Sequence, residues 1–229
     1  MTEQAQGTGT PPPGLDVVHA DAHLIVLNKP ANLLSVPGKG PDKSDCLSAR
    51  AQAIWPDALI VHRLDMATSG LMVMARGAQA QRTLSMAFAQ RLTHKQYEAV
   101  ATGCLHENPL QTDAAGWQHI DLPLTVDWPN RPRSKVCHER GKPSLTRWRS
   151  LGVDPAHQFT RVLLEPVTGR THQLRVHLMA LGHPILGDAL YASGQALQAA
   201  PRLLLHATRL ALPHPATGTL CEWHSPAPF

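Results

Sequence analysis

The sequence predicts an α+β fold built on a mostly antiparallel or mixed β-sheet. Short β-prone runs occur in adjacent pairs along much of the chain of 229 residues, as they do in hairpins. Only two or three segments between them have helical periodicity, and they do not alternate regularly with the strands. This arrangement favours α+β over a doubly wound parallel sheet, in which strands and helices alternate.

The composition is typical of a soluble globular protein, with 43% hydrophobic and 17% charged residues. No apolar run approaches the roughly 18 residues that a membrane span needs, and the N-terminus has no secretory signal pattern. The four cysteines lie far apart and form no CxxC pair. We therefore expect free thiols in a reducing cytoplasm and no zinc site.

The first elements are predicted from local residue types. Residues 1–14 contain Gln, Gly, Thr and a run of three prolines, which predicts a disordered leader. The β-prone runs Leu15–Val18 and Leu24–Leu27 predict a hairpin. A helix is expected to begin near Ser44 or Asp45, since either residue can cap it, and to end before Trp55.

Stronger patterns follow in the middle of the chain. The unbroken apolar run Leu71–Ala75 predicts a buried strand. Apolar spacing at Leu84, Phe88 and Leu92 predicts an amphipathic helix over about 77–90. Residues 95–103 alternate in the manner of a strand that ends at a glycine.

The segment Asp127–Pro143 differs from its surroundings, because it has three prolines, no sustained period and five basic residues against two acids. Further strands and one helix closed by Gly182 are predicted after it. They are Leu145–Leu151, Phe159–Glu165, the helix Thr171–Ala180, Leu203–Leu212 and Leu220–Trp223.

Asp65 is the first candidate for chemistry, because a charged tripeptide directly before a buried strand suits a cleft better than a core. In an extended segment Arg63 projects on the same side as Asp65. An ordinary surface ion pair is the alternative interpretation.

The second candidate segment is basic and precedes Gly182. Helical spacing places His172 and Arg175 on one face, with Arg170 near the N-terminal end. His172 and His177 would point away from each other, so zinc binding is not expected. A solvated basic helix is the alternative, but interspersed apolar residues indicate burial, and a buried arginine needs an anionic partner such as an active-site aspartate.

Tyr97 and the basic segment 127–143 are further candidates. Tyr97 lies in a predicted strand with Lys95 on the same side, where a core role is the alternative to a catalytic one. Arginines interleaved with Trp128 suit phosphate contacts and base stacking, although the segment could also be a solvated loop. No GxSxG, GxxxxGK[ST] or GxGxxG pattern indicates a hydrolase or a nucleotide cofactor.

Three of these segments together resemble the RluA-type pseudouridine synthases. HRLDMATSGL (62–71), KQYEAVATG (95–103) and PVTGRTHQLRVHL (166–178) are similar to that family's three motifs. DWPNRPRSKVC, GHPILGD and PRLLLHA resemble its short members with dual specificity for rRNA and tRNA. The resemblance runs from about Val17 to the C-terminus. It implies the pseudouridine synthase fold, with flanking helices and an RNA-binding cleft, as one catalytic domain over 15–229 without an S4 domain.

The resemblance also implies roles for individual residues. Asp65 is the catalytic carboxylate, which either attacks C1′ or removes a proton from C2′. Arg175 pairs with it, Tyr97 stacks on the uracil, Leu174 packs on the other side of the base, and Arg63 enters the RNA stack when the base flips out. The remaining expected substrate-binding residues are His62, Arg170, His172, Arg131, Arg133 and Lys135.

The implied activity is the isomerisation of uridine to pseudouridine in stem-loop RNA, in a 23S rRNA hairpin and a tRNA anticodon stem-loop. No cofactor and no metal is expected, and the protein is expected to be a cytoplasmic monomer without an obligate protein partner or a membrane. A non-catalytic RNA-binding protein of the same fold is the alternative, which intact Asp65, Tyr97 and Arg175 disfavour.

Overall fold

A computed structural model describes residues 15–40 and 43–229, so the predicted leader at 1–14 lies outside the described residues. The chain divides into two compact units. The first unit contains the described residues up to His94 together with Ala207–Pro226, and the second contains Lys95–His206 and Ala227–Phe229. The expectation of a single catalytic domain over 15–229 stays a prediction.

Twelve strands and four α-helices form the regular structure of the described residues. In chain order they are β1 (Val17–Ala20), β2 (Leu24–Lys29), α1 (Leu47–Gln52), β3 (Ala58–Ile60), β4 (Ser69–Arg76), α2 (Gly77–Ala89), β5 (His94–Thr102), β6 (Gln118–Asp121), β7 (Leu124–Val126), β8 (Ser134–Val136), β9 (Leu145–Asp154), β10 (Phe159–Pro166), α3 (Gln173–Ala180), α4 (Gly194–Gln198), β11 (Leu205–Pro213) and β12 (Leu220–His224).

The first unit is a sheet covered by α2. Its strand order is β1-β2-β4-β11, with β3 beside β4 and β12 beside β11. The predicted hairpin of β1 and β2 is confirmed, and β2 pairs antiparallel with β4 so that Lys29 lies opposite Gly70. The buried strand is confirmed as well, since every residue of β4 except the last is buried. One core cluster joins the sheet to α2, and it contains Leu24, Val26, Leu71, Val73, Ala75, Ala80, Leu84, Leu210 and Leu212.

Two details of the first unit differ from the prediction. Helix α1 begins at Leu47, and its cap is Cys46, whose Sγ accepts a hydrogen bond from the amide of Ala49. Asp45 instead forms an exposed ion pair with Arg50. Helix α2 ends at Ala89, so Leu92 lies beyond it and is 50% exposed. Of the three apolar positions that predicted the helix, Leu84 and Phe88 reach the core and Leu92 does not.

The second unit contains a four-stranded antiparallel sheet in the order β5-β10-β9-β6 and a separate hairpin of β7 and β8. The predicted long strands β5, β9 and β10 are confirmed. The segment after Val126 is more regular than expected, because Ser134–Val136 forms β8 and pairs with β7. Leu124, Val176 and Tyr191 form a small core between this hairpin and α3.

The pairing pattern confirms the predicted α+β class, since every strand pair with an established register is antiparallel. Within residues 15–40 and 43–229, no helix is long and apolar enough to cross a membrane.

Candidate active site

Asp65 lies in the first unit at the entrance of a tight turn that leads into β4. The amide of Thr68 donates to the carbonyl of Asp65 at 3.1 Å, which closes the turn over Met66. Arg63 is exposed, Leu64 is buried at 5% exposure, and Asp65 is half-buried. This alternation is the one expected of extended backbone, with Leu64 as the anchor and the two charged residues away from the core.

Ser35 fixes the peptide groups of the anchor residue Leu64. Its buried Oγ donates to the carbonyl of Leu64 at 2.7 Å and accepts from the amide of Leu64 at 3.1 Å. Since the Leu64 carbonyl belongs to the peptide bond that leads into Asp65, one hydroxyl restrains the backbone immediately before the carboxylate.

Lys29 restrains the backbone on the other side of Asp65. Its side chain is fully buried, and its Nζ donates to the carbonyls of Pro30, Leu33 and Met66 at 2.8, 2.8 and 3.0 Å. A buried ammonium is stable only when its donors are satisfied, and three carbonyls satisfy them here. No motif in the sequence predicted this role for Lys29.

Gly70 allows β4 to lie close to its neighbouring strand. Its φ of +111° is in the region that side chains rarely adopt, and a Cβ at this position would lie 2.4 Å from the carbonyl oxygen of Ala207. The turn after Asp65 therefore enters the sheet through a position that only glycine fits.

His62 faces the protein interior. Its Nε2 accepts from the amide of Val73 at 3.0 Å, so this nitrogen carries no proton. The ring stacks on Phe88 with centroids 4.6 Å apart. These contacts support a positioning role for His62, and its contact with substrate stays a prediction.

Arg175 is buried in the second unit and has a carboxylate partner that the sequence analysis did not name. Its Nε and Nη2 donate to Asp188 Oδ2 and Oδ1 at 2.8 and 2.6 Å, and Asp188 is fully buried. Asp188 Oδ1 also accepts from the amides of Leu190 and Tyr191. The expected burial of Arg175 is confirmed, and the fork-shaped pair fixes the plane of its guanidinium.

Tyr191 connects several predicted site residues, although sequence analysis overlooked it. Its hydroxyl accepts from the amide of Ser134 at 2.7 Å and lies 2.7 Å from His172 Nδ1. The guanidinium carbons of Arg175 and Arg133 lie 5.1 and 5.3 Å from its ring centroid. The GHPILGD motif that precedes Tyr191 was the one available signal.

The expected position of His172 on the face of a helix is wrong. Helix α3 begins at Gln173, and His172 precedes it in the left-handed conformation with a φ of 56°. A sharp turn is imposed there because Gln173 Oε1 accepts from Thr168 Oγ1 and the amide of Arg170. His172 is thereby placed beside Tyr191 instead of on the face of α3 that carries Arg175.

Helix α3 is tied to β9 by buried polar side chains. His177 is fully buried, and its ring contacts Thr146 Oγ1 at 2.9 Å and the Leu122 carbonyl at 3.0 Å. Burial lowers the pKa of His177, against the opposing effects of Leu122 and Asp121. Leu174, the expected base-packing residue, is also buried, so the start of this helix has little freedom to move.

Tyr97 is half-buried on β5, where it lies opposite Leu164 of β10. Lys95 is two residues earlier and shares its face of the strand. Burial lowers the pKa of the Lys95 ammonium. The strand therefore presents an aromatic ring and a partly desolvated amine side by side.

The basic segment holds the other three predicted residues in unequal environments. Exposed Arg131 stacks on Trp128, with 3.7 Å from its guanidinium carbon to the ring centroid, and Trp128 is 67% exposed. Lys135 pairs with Asp127 at 3.2 Å, whereas Arg133 lies over Tyr191. Arg133 thus shares its aromatic partner, Tyr191, with Arg175 and His172.

Among the residues that the structure describes, no group of three or more His, Cys, Asp or Glu side chains is arranged to hold a metal ion.

Comparison with known proteins gives concordant matches. The sequence profile of the RNA pseudouridylate synthase family matches residues 23–180. The chain is 49% identical over 217 residues to the dual-specificity RNA pseudouridine synthase RluA of Escherichia coli (strain K12), covering 95% of each chain. It is 46% identical over 222 residues to RluA of Pasteurella multocida (strain Pm70), covering 96% of this chain and 97% of the relative.

A solved structure agrees with these matches. Human RNA Pseudouridylate Synthase Domain Containing 1 superposes with a TM-score of 0.76 and 29% identity, covering 94% of this chain and 84% of the human chain.

Proposed function

The chain belongs to the RNA pseudouridylate synthase family, and we propose that it isomerises uridine in two classes of stem-loop RNA, a 23S rRNA hairpin and the tRNA anticodon stem-loop. The chain is an RNA pseudouridine synthase and thus an isomerase. The dual specificity named for its relatives in E. coli and P. multocida supports the two substrate classes.

The proposed reaction exchanges one glycosidic bond for another. The bond from C1′ to N1 breaks, the uracil turns within the site, and C5 joins C1′. The proton lost from C5 is balanced by a proton gained at N1, so no oxidant, reductant or second substrate is consumed. We propose that this chemistry proceeds without a cofactor or a metal.

We assign the catalytic carboxylate to Asp65. The observation that carries this assignment is the double restraint of its backbone by buried Ser35 on one side and buried Lys29 on the other. A reacting group must be held within about 0.5 Å of its productive position, and such restraints supply this precision. Attack on C1′ and removal of the C2′ proton both require an ionised carboxylate at this position.

We propose that Arg175 keeps Asp65 ionised in the substrate complex. A neighbouring guanidinium favours the charged form of a carboxylate, and each pKa unit of such a shift corresponds to about 1.4 kcal/mol. The bidentate contact with Asp188 supports this role, because it presets the direction of the remaining guanidinium donors.

The base-handling residues complete the proposal. Tyr97 and Leu174 would contact opposite faces of the uracil, and exposed Arg63 would fill the place that the flipped nucleotide leaves. Flipping a base costs a few kcal/mol and least in a loop, so a guanidinium that occupies the vacated stack favours the flipped state. Arg170, His172, Arg131, Arg133 and Lys135 are proposed to bind the RNA around it.

Release of tritium from stem-loop RNA labelled at uridine C5 tests the assignment. We expect Asp65→Asn to lower the rate by at least about 10³-fold, as expected when a nucleophile or base is removed. Asp45→Asn, which removes an exposed carboxylate paired with Arg50, is the matched control and should remain as active as wild type. Release by Asp65→Asn at the wild-type rate would refute the mechanism.

The same assay addresses the alternative of a binding protein. Wild-type protein that binds both RNAs but releases no tritium from either would favour a non-catalytic role.

We further propose that the protein acts as a cytoplasmic monomer, for which light scattering at assay concentration should give the mass of one chain.

A further inference from the structure

A pocket of about 320 Å³ lies within the second unit and involves none of the proposed catalytic residues. Its walls come from the β7–β8 hairpin, the chain directly after β8 and, much later in the sequence, the loop before α3. The lining residues are Leu124, Thr125, Val126, Ser134, Arg140, Lys142, Gly169, Arg170 and Thr171.

The lining combines three cations and several hydroxyl groups with the apolar side chains of Leu124 and Val126. Arg140, Lys142 and Arg170 each contribute one positive charge, and no lining residue is acidic. Hydroxyl groups of Thr125 and Thr171 add donors. No aromatic residue lines the pocket, so it offers no surface on which a base would stack.

The walls are fixed by backbone contacts. Lys142 exchanges both backbone hydrogen bonds with Leu124, at 2.8 and 3.0 Å. Arg170 is held by its amide, which donates to Gln173 Oε1 at 3.0 Å, and by its Nε, which donates to the Pro143 carbonyl at 3.3 Å. These contacts hold the backbone of Lys142 and the base of the Arg170 side chain at the wall of the pocket, which Arg140 also lines.

We propose that this pocket binds a phosphodiester of the substrate RNA backbone, with Arg140, Lys142 and Arg170 as its ligands. The inference rests on the proposed function for the identity of the RNA. A phosphodiester matches the observed chemistry, because arginine forks bind its oxygens in pairs and lysine adds a compact charge. Arg140 and Lys142, which belong to the basic segment predicted to contact phosphates but were not singled out there, thereby become positioning contacts for the RNA.

Stem-loop RNAs that each carry a single neutral methylphosphonate linkage test this inference by a double-mutant cycle. Arg140→Gln with Lys142→Gln should bind unmodified RNA about tenfold more weakly than wild type does at low salt. At one or two adjacent linkages, neutralising the phosphate should weaken binding by wild type several-fold more than binding by the variant, in which only Arg170 still contacts the phosphate.

Two control proteins accompany the cycle. Arg82→Gln with Arg91→Asn also removes two positive charges, but from exposed positions of the first unit. Its loss of affinity should not depend on which linkage of the RNA is neutralised. Arg140→Lys with Lys142→Arg keeps both charges and should restore most of the lost affinity. Asparagine at position 91 tolerates the positive φ found there.

The inference would be overturned if the effects of the protein variant and of the neutral linkage on RNA affinity were additive at every linkage. Equal losses of RNA affinity for the pocket variant and the exposed control would also overturn it. Binding is measured independently of turnover. RNA that is bound with coupling but releases no tritium would contradict the proposed function and leave the phosphodiester site supported.

Discussion

The Asp65 turn and the basic segment 127–142 both carry predicted site residues, but different forces hold them. The Asp65 turn is fixed by buried hydrogen bonds from Lys29 and Ser35. In the basic segment, β8 is held by its pairing with β7, but the side chains of Arg131 and Lys135 are held at the surface, by stacking on exposed Trp128 and by the ion pair with Asp127. Surface ion pairs contribute at most about 1 kcal/mol, whereas breaking a buried charged contact costs several.

This difference matches the two tasks proposed for these segments. A group that performs chemistry must keep one geometry, while a surface that binds two RNAs benefits from side chains that can move without cost to the fold. Mutations in the first segment should therefore reduce stability and turnover together, and mutations in the second should reduce RNA affinity alone.

The largest effect is expected for Lys29→Met, which preserves the bulk of the side chain but leaves three carbonyls without their donor. We expect a loss of about 3–5 kcal/mol in the free energy of unfolding, measured with urea, and a strong decrease in tritium release. Lys39→Met, at an exposed position, is the matched control. A stable, active Lys29→Met protein would show that the buried ammonium is dispensable.

A smaller loss in the free energy of unfolding, about 2–3 kcal/mol, is expected for Gly70→Ala. Two causes contribute, because the new Cβ would collide with the backbone of Ala207 and the residue would have to adopt a strained positive φ. Gly116→Ala separates these causes, since Gly116 also has a positive φ of +81° but no atom within 4 Å of an added Cβ. Gly116→Ala should lower the free energy of unfolding by about 1 kcal/mol. Equal losses in thermal or urea unfolding would show that backbone strain alone, and not close packing, determines position 70.

The smallest change in stability is expected for Arg131→Gln combined with Arg133→Gln, below about 0.5 kcal/mol. The plot of log affinity against log salt should nevertheless become flatter, by about 0.7–0.9 for each lost phosphate contact. An unchanged slope in binding titrations would remove these arginines from the RNA interface. A large loss of stability would instead show that the segment is as rigid as the Asp65 turn.

Long elements with strong patterns were predictable from the sequence. The buried run of β4, the helical period of α2 and the alternating strands β5, β9 and β10 were all found at nearly their predicted bounds. Four of the five strands that have only three or four residues, namely β3, β6, β7 and β8, were missed, and only β1 was predicted. So short a strand has too little local pattern, and its pairing partner decides its conformation.

The residues of the site divide in the same way. Asp65 and the burial of Arg175 followed from motifs and apolar neighbours that are local in sequence. Lys29 and Tyr191 did not, because their contacts join residues far apart in the chain, Lys29 with Met66 and Tyr191 with Ser134. No periodicity records such contacts. The left-handed turn at His172 was missed for a different reason, because it depends on local side-chain hydrogen bonds of Gln173 with Thr168 and Arg170.

The contact between Lys29 and Met66 also has a consequence for the order in which the chain folds. The two residues are separated by 37 positions, so this contact closes a long loop and must offset the entropy of that closure. While the protein is being synthesised, a chain that has emerged only as far as β2 keeps the Lys29 ammonium in water. The lysine loses that hydration when β4 pairs with β2, and the geometry around Asp65 is acquired in the same event.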